Sequence, residues 1–189
     1  MLVNIWATLV HMGDRSFCGA DNQTTEDLSL LISEGLRRRT RGKQTWMVDP
    51  HWLSPGTTGR LLQESYRALT GAHESYLMLV TPGFSDVLHG VPASLVKRQL
   101  EVLVGRAEIF GKKTIAVALG IPPKTPSSIA RKIKELNDAY TSVTRAHGGV
   151  VADLRKLKYR PWGPQGSFPE RISRVADAIV RAVLASHTS

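Results

Sequence analysis

Short apolar runs alternate with longer stretches of helical period along the whole chain, and no other feature narrows the fold as far. The first run, Val3 to Met12, is rich in Val, Ile, Leu and Trp and stops at Gly13. "QTWMVDP" is a second short strand, ended by Pro50, and "SYLMLVTPG" a third whose unbroken apolar character predicts burial on both faces. "KTIAVALGIPP" and "VVADL" supply a fourth and a fifth.

Between the runs lie amphipathic helices. Thr24 and Asp27 resemble a capping box, and Leu28, Leu31, Ile32 and Leu36 then share one helical face. "TTGRLLQESYRAL" makes a modest helix after the second strand. Val96, Leu100, Leu103, Ala107 and Phe110 repeat at spacings of four and three in a longer one. Thr125 and Pro126 open the next in the N-cap and first-turn positions, and Gly148-Gly149 ends it. Its apolar face is Ile129, Ile133, Leu136, Tyr140 and Val143. A last helix presents Ile172, Val175, Ile179 and Val183.

Five strands, each followed by a helical segment, predict an α/β fold: a three-layer α/β/α sandwich around a five-stranded, mostly parallel sheet. With 189 residues and no linker or repeat, residues 1–189 are expected to form a single domain. Sites in such sheets form in the loops leaving the carboxyl ends of the strands. Here those loops are residues 13–23, 50–57, 81–92, 120–126 and 154–168.

Read at those loops, the chain resembles the SGNH (GDSL-type) hydrolase superfamily over nearly its whole length. "GDRSFCG" is similar to the family's first block, G-D-S-x-x-x-G, and "SPGTTGRLL" to its second. "TPGFSDVL" resembles the third, G-x-N-D, and "GPQGSFPERISRVADAIVRAV" the closing D-x-x-H-P with its helix. The resemblance implies roles: a serine attacks an ester carbonyl, a glycine N–H and an asparagine amide hold the oxyanion, and a histidine oriented by an aspartate activates the serine.

Carried across without gaps, every one of those positions is replaced. The serine position is Arg15, the glycine Pro55, the asparagine Ser85, the aspartate Gln165 and the histidine Phe168. Arginine is not an acyl-accepting nucleophile, proline has no N–H, and phenylalanine takes no proton. Loss of one oxyanion donor alone costs about 10²–10³-fold in rate. What remains of the blocks is scaffold: Gly13, Asp14, Gly19, Gly83 and Asp86.

The resemblance therefore implies a degenerate site, a pseudoenzyme or one with altered chemistry centred on Arg15. Pro55, Gly56, Gly83, Ser85 and Phe168 would line its pocket, with Asp14 and Asp86 holding the loops. An alternative moves the nucleophile to Ser16 or Cys18, with Gly56 as oxyanion donor and His51, beside Asp49, as base. His11 reads as a satisfied buried histidine.

The formal net charge of +9 favours acidic partners, and a third reading is a non-catalytic interaction domain using that surface. Basic clusters at 37–43 and 131–134 are expected to be solvated faces, whereas 155–160 lies at the site end of the sheet. A small anionic or acyl-bearing molecule is the expected partner, ahead of nucleic acid, for which no module is present. No metal-ligand spacing and no nucleotide-binding glycine motif occurs, so no cofactor is expected. One cysteine, no basic leader and no apolar run near the ~20 residues of a membrane span fit a cytoplasmic protein.

Overall fold

The computed structural model describes residues 5–15, 22–71, 75–81, 85–121, 124–155 and 168–187. In chain order these form β1 (Ile5–Asp14), α1 (Asn22–Arg39), β2 (Gln44–Leu53), α2 (Thr58–Gly71) and β3 (Ser75–Thr81). Then come α3 (Ser85–Leu88), α4 (Ala93–Ile109), β4 (Lys113–Ala118), α5 (Ser127–Ala146), β5 (Val150–Asp153) and α6 (Phe168–His187).

The five strands make one sheet in the order β2-β1-β3-β4-β5, and every pairing is parallel. From β1 the chain steps outward to β2, then returns across β1 to β3 and continues to β4 and β5. Right-handed crossovers place helices from the two directions on opposite faces. α1 accordingly packs on α6, while α4 lies against both α2 and α5. The reversal of direction falls between β1 and β3, and their carboxyl ends bound the crevice where such folds build sites.

Leu9, Val10 and Met12 of β1, Leu77 to Val80 of β3 and Ile115 to Val117 of β4 are buried, as central strands covered on both faces require. Leu28, Ile32 and Leu36 of α1 close one side, and Val96, Leu100, Leu103, Ile133 and Tyr140 the other. Asn137 is a buried polar exception. Its side-chain amide bonds both the N–H (2.7 Å) and the C=O (2.8 Å) of Leu119, satisfying backbone just past the end of β4.

Several boundaries differ from expectation. Pro50 does not end β2, whose ladder to β1 runs on to Leu53. β2 is an edge strand, and an edge tolerates proline when the missing N–H faces outward. The first helix begins at Asn22, so Thr24 lies within its first turn instead of capping it. Pro126 is itself the N-cap of α5, in extended conformation and without a side-chain capping bond. The short α3 was not foreseen. Gly148 does end α5, with φ of 68°, the left-handed conformation that glycine adopts most readily.

His11 is buried but only half satisfied. Its Nε2 lies 2.9 Å from Thr81 Oγ1, while Nδ1 has no hydrogen-bond partner among the described residues. The Trp52 ring lies 4.4 Å away between centroids and edge-on. Burial first, and the nearby His51 second, push the His11 imidazole down to about 3.

In the unfolded chain the same group titrates near pH 6.5. Between those values the unfolded state binds more protons, so this histidine's contribution to stability is lost as the pH falls. Wild-type protein should lose stability from pH 7 to 5 at up to about 1 kcal/mol per pH unit on this account. Urea unfolding at both pH values tests it: His11→Phe should show the shallower slope, and equal slopes would remove His11 as the source.

Candidate functional site

The last residue of β1 organises the carboxyl edge. Asp14 is 1% exposed, and its two carboxylate oxygens accept backbone N–H groups from two different loops. Oδ1 accepts from Gly56 at 3.2 Å and Oδ2 from Ser85 at 3.1 Å. One carboxylate thus ties the β2–α2 loop and the start of α3 to the end of β1. Glycine is required at 56 by space, since a Cβ there would run into the backbone and side chain of Asp14. Gly13 is under the same constraint beneath the Trp52 ring and the Thr81 hydroxyl.

A second carboxylate fixes the same pair of loops from the other side. Asp86, also 1% exposed, accepts the Thr58 N–H on both oxygens, at 3.1 and 3.0 Å, and the Thr58 hydroxyl at 2.8 Å. Thr58 opens α2, so the acid also sits at the positive end of that helix. A hydroxyl has one proton to give, and Thr58 gives it to Asp86. The contact of 2.8 Å between Thr58 Oγ1 and Tyr140 must then have Tyr140 as donor. Burial pushes the Asp86 carboxyl above the usual carboxylate range, with Asp14 adding to it and the Thr58 bonds opposing it. The fully buried Tyr140 hydroxyl is pushed up as well, chiefly by burial and then by Asp86.

Of the residues singled out from the sequence, only some are described. Arg15 directly follows Asp14 and is exposed, not enclosed. Pro55 is exposed too, and its carbonyl and that of Ser54 accept from Arg60 Nη1 at 3.2 and 2.9 Å. Ser85 is buried. Gly56 was expected as an alternative oxyanion donor, but its N–H is directed at Asp14. Phe168 opens α6, and its side chain lies outside the described residues, as do Ser16, Cys18 and Gly83.

His51 is half-buried with Nε2 3.2 Å from Asp49 Oδ2. His89 donates from Nδ1 to the Ser85 carbonyl at 2.7 Å, so in the neutral ring Nε2 carries no proton. Of the basic loop at 155–160 only Arg155 is described. Its Nε and Nη2 both bond Asp153 at 2.8 Å, which sets that charge against a carboxylate of its own. No cluster of three or more His, Cys, Asp or Glu suited to a metal occurs among the described residues. No described helix is long and apolar enough to cross a membrane.

Thr58 and Tyr140 were missed as members of this network. Tyr140 falls on the apolar stripe of α5 and reads as core, and only the phenol oxygen distinguishes it from its neighbours. The clamp makes a quantitative expectation. Gly56→Ala and Asp14→Asn should each lower stability by about 2–3 kcal/mol, the first by steric exclusion and the second by losing charge-assisted bonds to buried N–H groups. Urea denaturation measures both, and a loss under about 0.5 kcal/mol would mean the clamp carries little of the fold.

No family model matches the chain, and no curated protein matches it either. Solved structures do. The psychrotrophic esterase EstA from Pseudoalteromonas sp. superposes with a TM-score of 0.73 at 16% identity, covering 96% of this chain and 99% of that one. The lipase/acylhydrolase from Enterococcus faecalis gives 0.70 at 19% identity, over 94% and 95%. AlinE4, an SGNH-hydrolase family esterase, gives 0.66 at 15% identity, over 96% and 98%. At these identities the likeness is one of fold, a parallel five-stranded sheet flanked by helices: the chain has the fold of the SGNH (GDSL-type) hydrolases.

Proposed function

We propose that the carboxyl edge of this sheet binds a small anionic or acyl-bearing molecule and does not hydrolyse esters with a serine–histidine pair at the positions the fold's esterases use. One observation carries the reading. The double clamp of Asp14 and Asp86 keeps the loops in register, while the side chain presented next to it is the exposed guanidinium of Arg15. Arginine holds carboxylate or phosphate through paired N–H donors. Pro55 offers no N–H where the family supplies one, and the N–H groups of Gly56 and Ser85 are both given to Asp14. Among the described residues of this edge, Arg15 is exposed and so supports the reading as the group a ligand would meet.

A second reading is favoured by the His51–Asp49 contact at 3.2 Å, the geometry of a base with its orienting carboxylate. Under it, Ser16 or Cys18 is the nucleophile and acyl transfer survives in a shifted register.

Turnover of p-nitrophenyl acetate and butyrate separates the two. The first reading expects no rate above the blank for wild type, Ser16→Ala or Arg15→Ala. It also expects acetate or inorganic phosphate at about ten times Kd to raise the melting temperature of wild type by about 3–5 °C, and not that of Arg15→Ala. Hydrolysis that vanishes in Ser16→Ala and falls in His51→Ala would overturn it in favour of the second.

A further inference from the structure

Two hydrogen bonds from His89 converge on one carbonyl. The Ser85 oxygen accepts the backbone N–H of His89 at 3.0 Å and the Nδ1–H of its ring at 2.7 Å. A carbonyl only accepts, so Nδ1 must carry a proton, and the neutral ring keeps a bare lone pair at Nε2. The turn that carries the ring is closed just beyond it. Gly90 has φ of 64°, and the N–H groups of Gly90 and Val91 return to the carbonyls of Val87 and Asp86 at 3.1 and 2.9 Å. Backbone bonds thus set both the place of this imidazole and its tautomer.

The ring stands at the carboxyl edge of the sheet. Asp14 holds the Ser85 N–H at 3.1 Å, and the carbonyl of the same Ser85 holds His89. Arg15 is joined to one end of that Asp14–Ser85 contact by a peptide bond, and His89 to the other by a hydrogen bond. Both residues are exposed. The two carboxylates nearby are engaged elsewhere: Asp14 receives Gly56 and Ser85, and Asp86 receives Thr58. Among the described residues Nε2 of His89 has no hydrogen-bond partner, which leaves it to solvent in the free protein. His51 differs, since its Nε2 is already set against Asp49, and His11 differs in being sealed within the sheet.

We infer that His89 contacts the ligand at this edge, its Nε2 accepting a hydroxyl proton, and that the ligand is an oxyanion carrying a hydroxyl group in the same molecule. The inference rests on the reading of Arg15 as the anion-holding group and adds a second point of attachment to it. A guanidinium has only donors and takes the anionic end. The lone pair of a neutral Nε2 is an acceptor, so it has nothing to offer an oxygen that bears no proton. A plain anion therefore engages one of the two groups, and an anion with a hydroxyl engages both. An imidazole free to choose its tautomer would accept either kind of partner, whereas one pinned through Nδ1 selects for a donor. Hydroxy acids and hydroxylated phosphate esters share this chemistry.

Titration calorimetry on the full chain with two matched pairs tests this: acetate against glycolate, and ethyl phosphate against hydroxyethyl phosphate. The members of each pair differ by one hydroxyl. In one pair at least, the hydroxylated member should bind wild type about fivefold tighter, the worth of one hydrogen bond, and that pair names the anion. His89→Ala should erase the preference and keep the binding of the plain anion. Its melting curve should be unchanged, because the Ser85 carbonyl retains the backbone N–H of residue 89. Arg15→Ala should weaken both members. Imidazole nitrogen NMR at alkaline pH, where such rings are neutral, should find the proton on Nδ1. Binding without a hydroxyl preference, a preference that His89→Ala retains, or a proton on Nε2 overturns the inference and leaves the Arg15 reading standing. Absence of binding by all four anions removes the Arg15 reading and this one with it.

Discussion

The carboxylate of Asp14 is where the fold and its site become one object. A parallel sheet fixes its strands through the ladder, but the loops beyond the strand ends receive nothing from it. Here a single buried acid at the end of β1 receives the Gly56 and Ser85 N–H groups, and a second, Asp86, receives Thr58. Two negative charges in a poorly hydrated place are costly, and the surrounding N–H and O–H groups are what make them tolerable. Removing any of these donors leaves a buried charge short of a partner, so the arrangement tolerates few partial versions.

That separates what holds the loops from what the edge presents. The residues that position the loops and those that would perform chemistry are adjacent in sequence but separate in physical role: Asp14 beside Arg15, Gly56 beside Pro55, Asp86 beside Ser85. The first of each pair is held by hydrogen bonds within the protein, and substitution there disturbs folding. At the second, Ser85 bonds Asp14 and Pro55 bonds Arg60 through backbone groups, so a change of side chain there leaves those bonds in place.

The layer order was legible because it rests on periodicity, and a run such as Leu77 to Val80 can hardly be other than a buried strand. Pro50 misled because proline stops a central strand but not an edge one, and strand order is not written in local sequence. The acids of the clamp were readable through the family blocks, whereas Tyr140 was not, because one phenolic oxygen on an apolar stripe leaves no periodic trace. His11 was placed correctly inside the sheet. That its Nδ1 finds no partner among the described residues, and that Trp52 lies against its ring, are contacts between strands that local sequence does not carry.

Pro50 also has a consequence at the sheet's outer margin. β2 runs for ten residues along an open edge, long enough to invite an incoming strand. A ladder to β1 that continues past Pro50 is the arrangement expected when the position lacking an N–H faces outward, where an added strand would find one bond fewer. Proline on an edge strand is one of the features that discourage a second chain from pairing there.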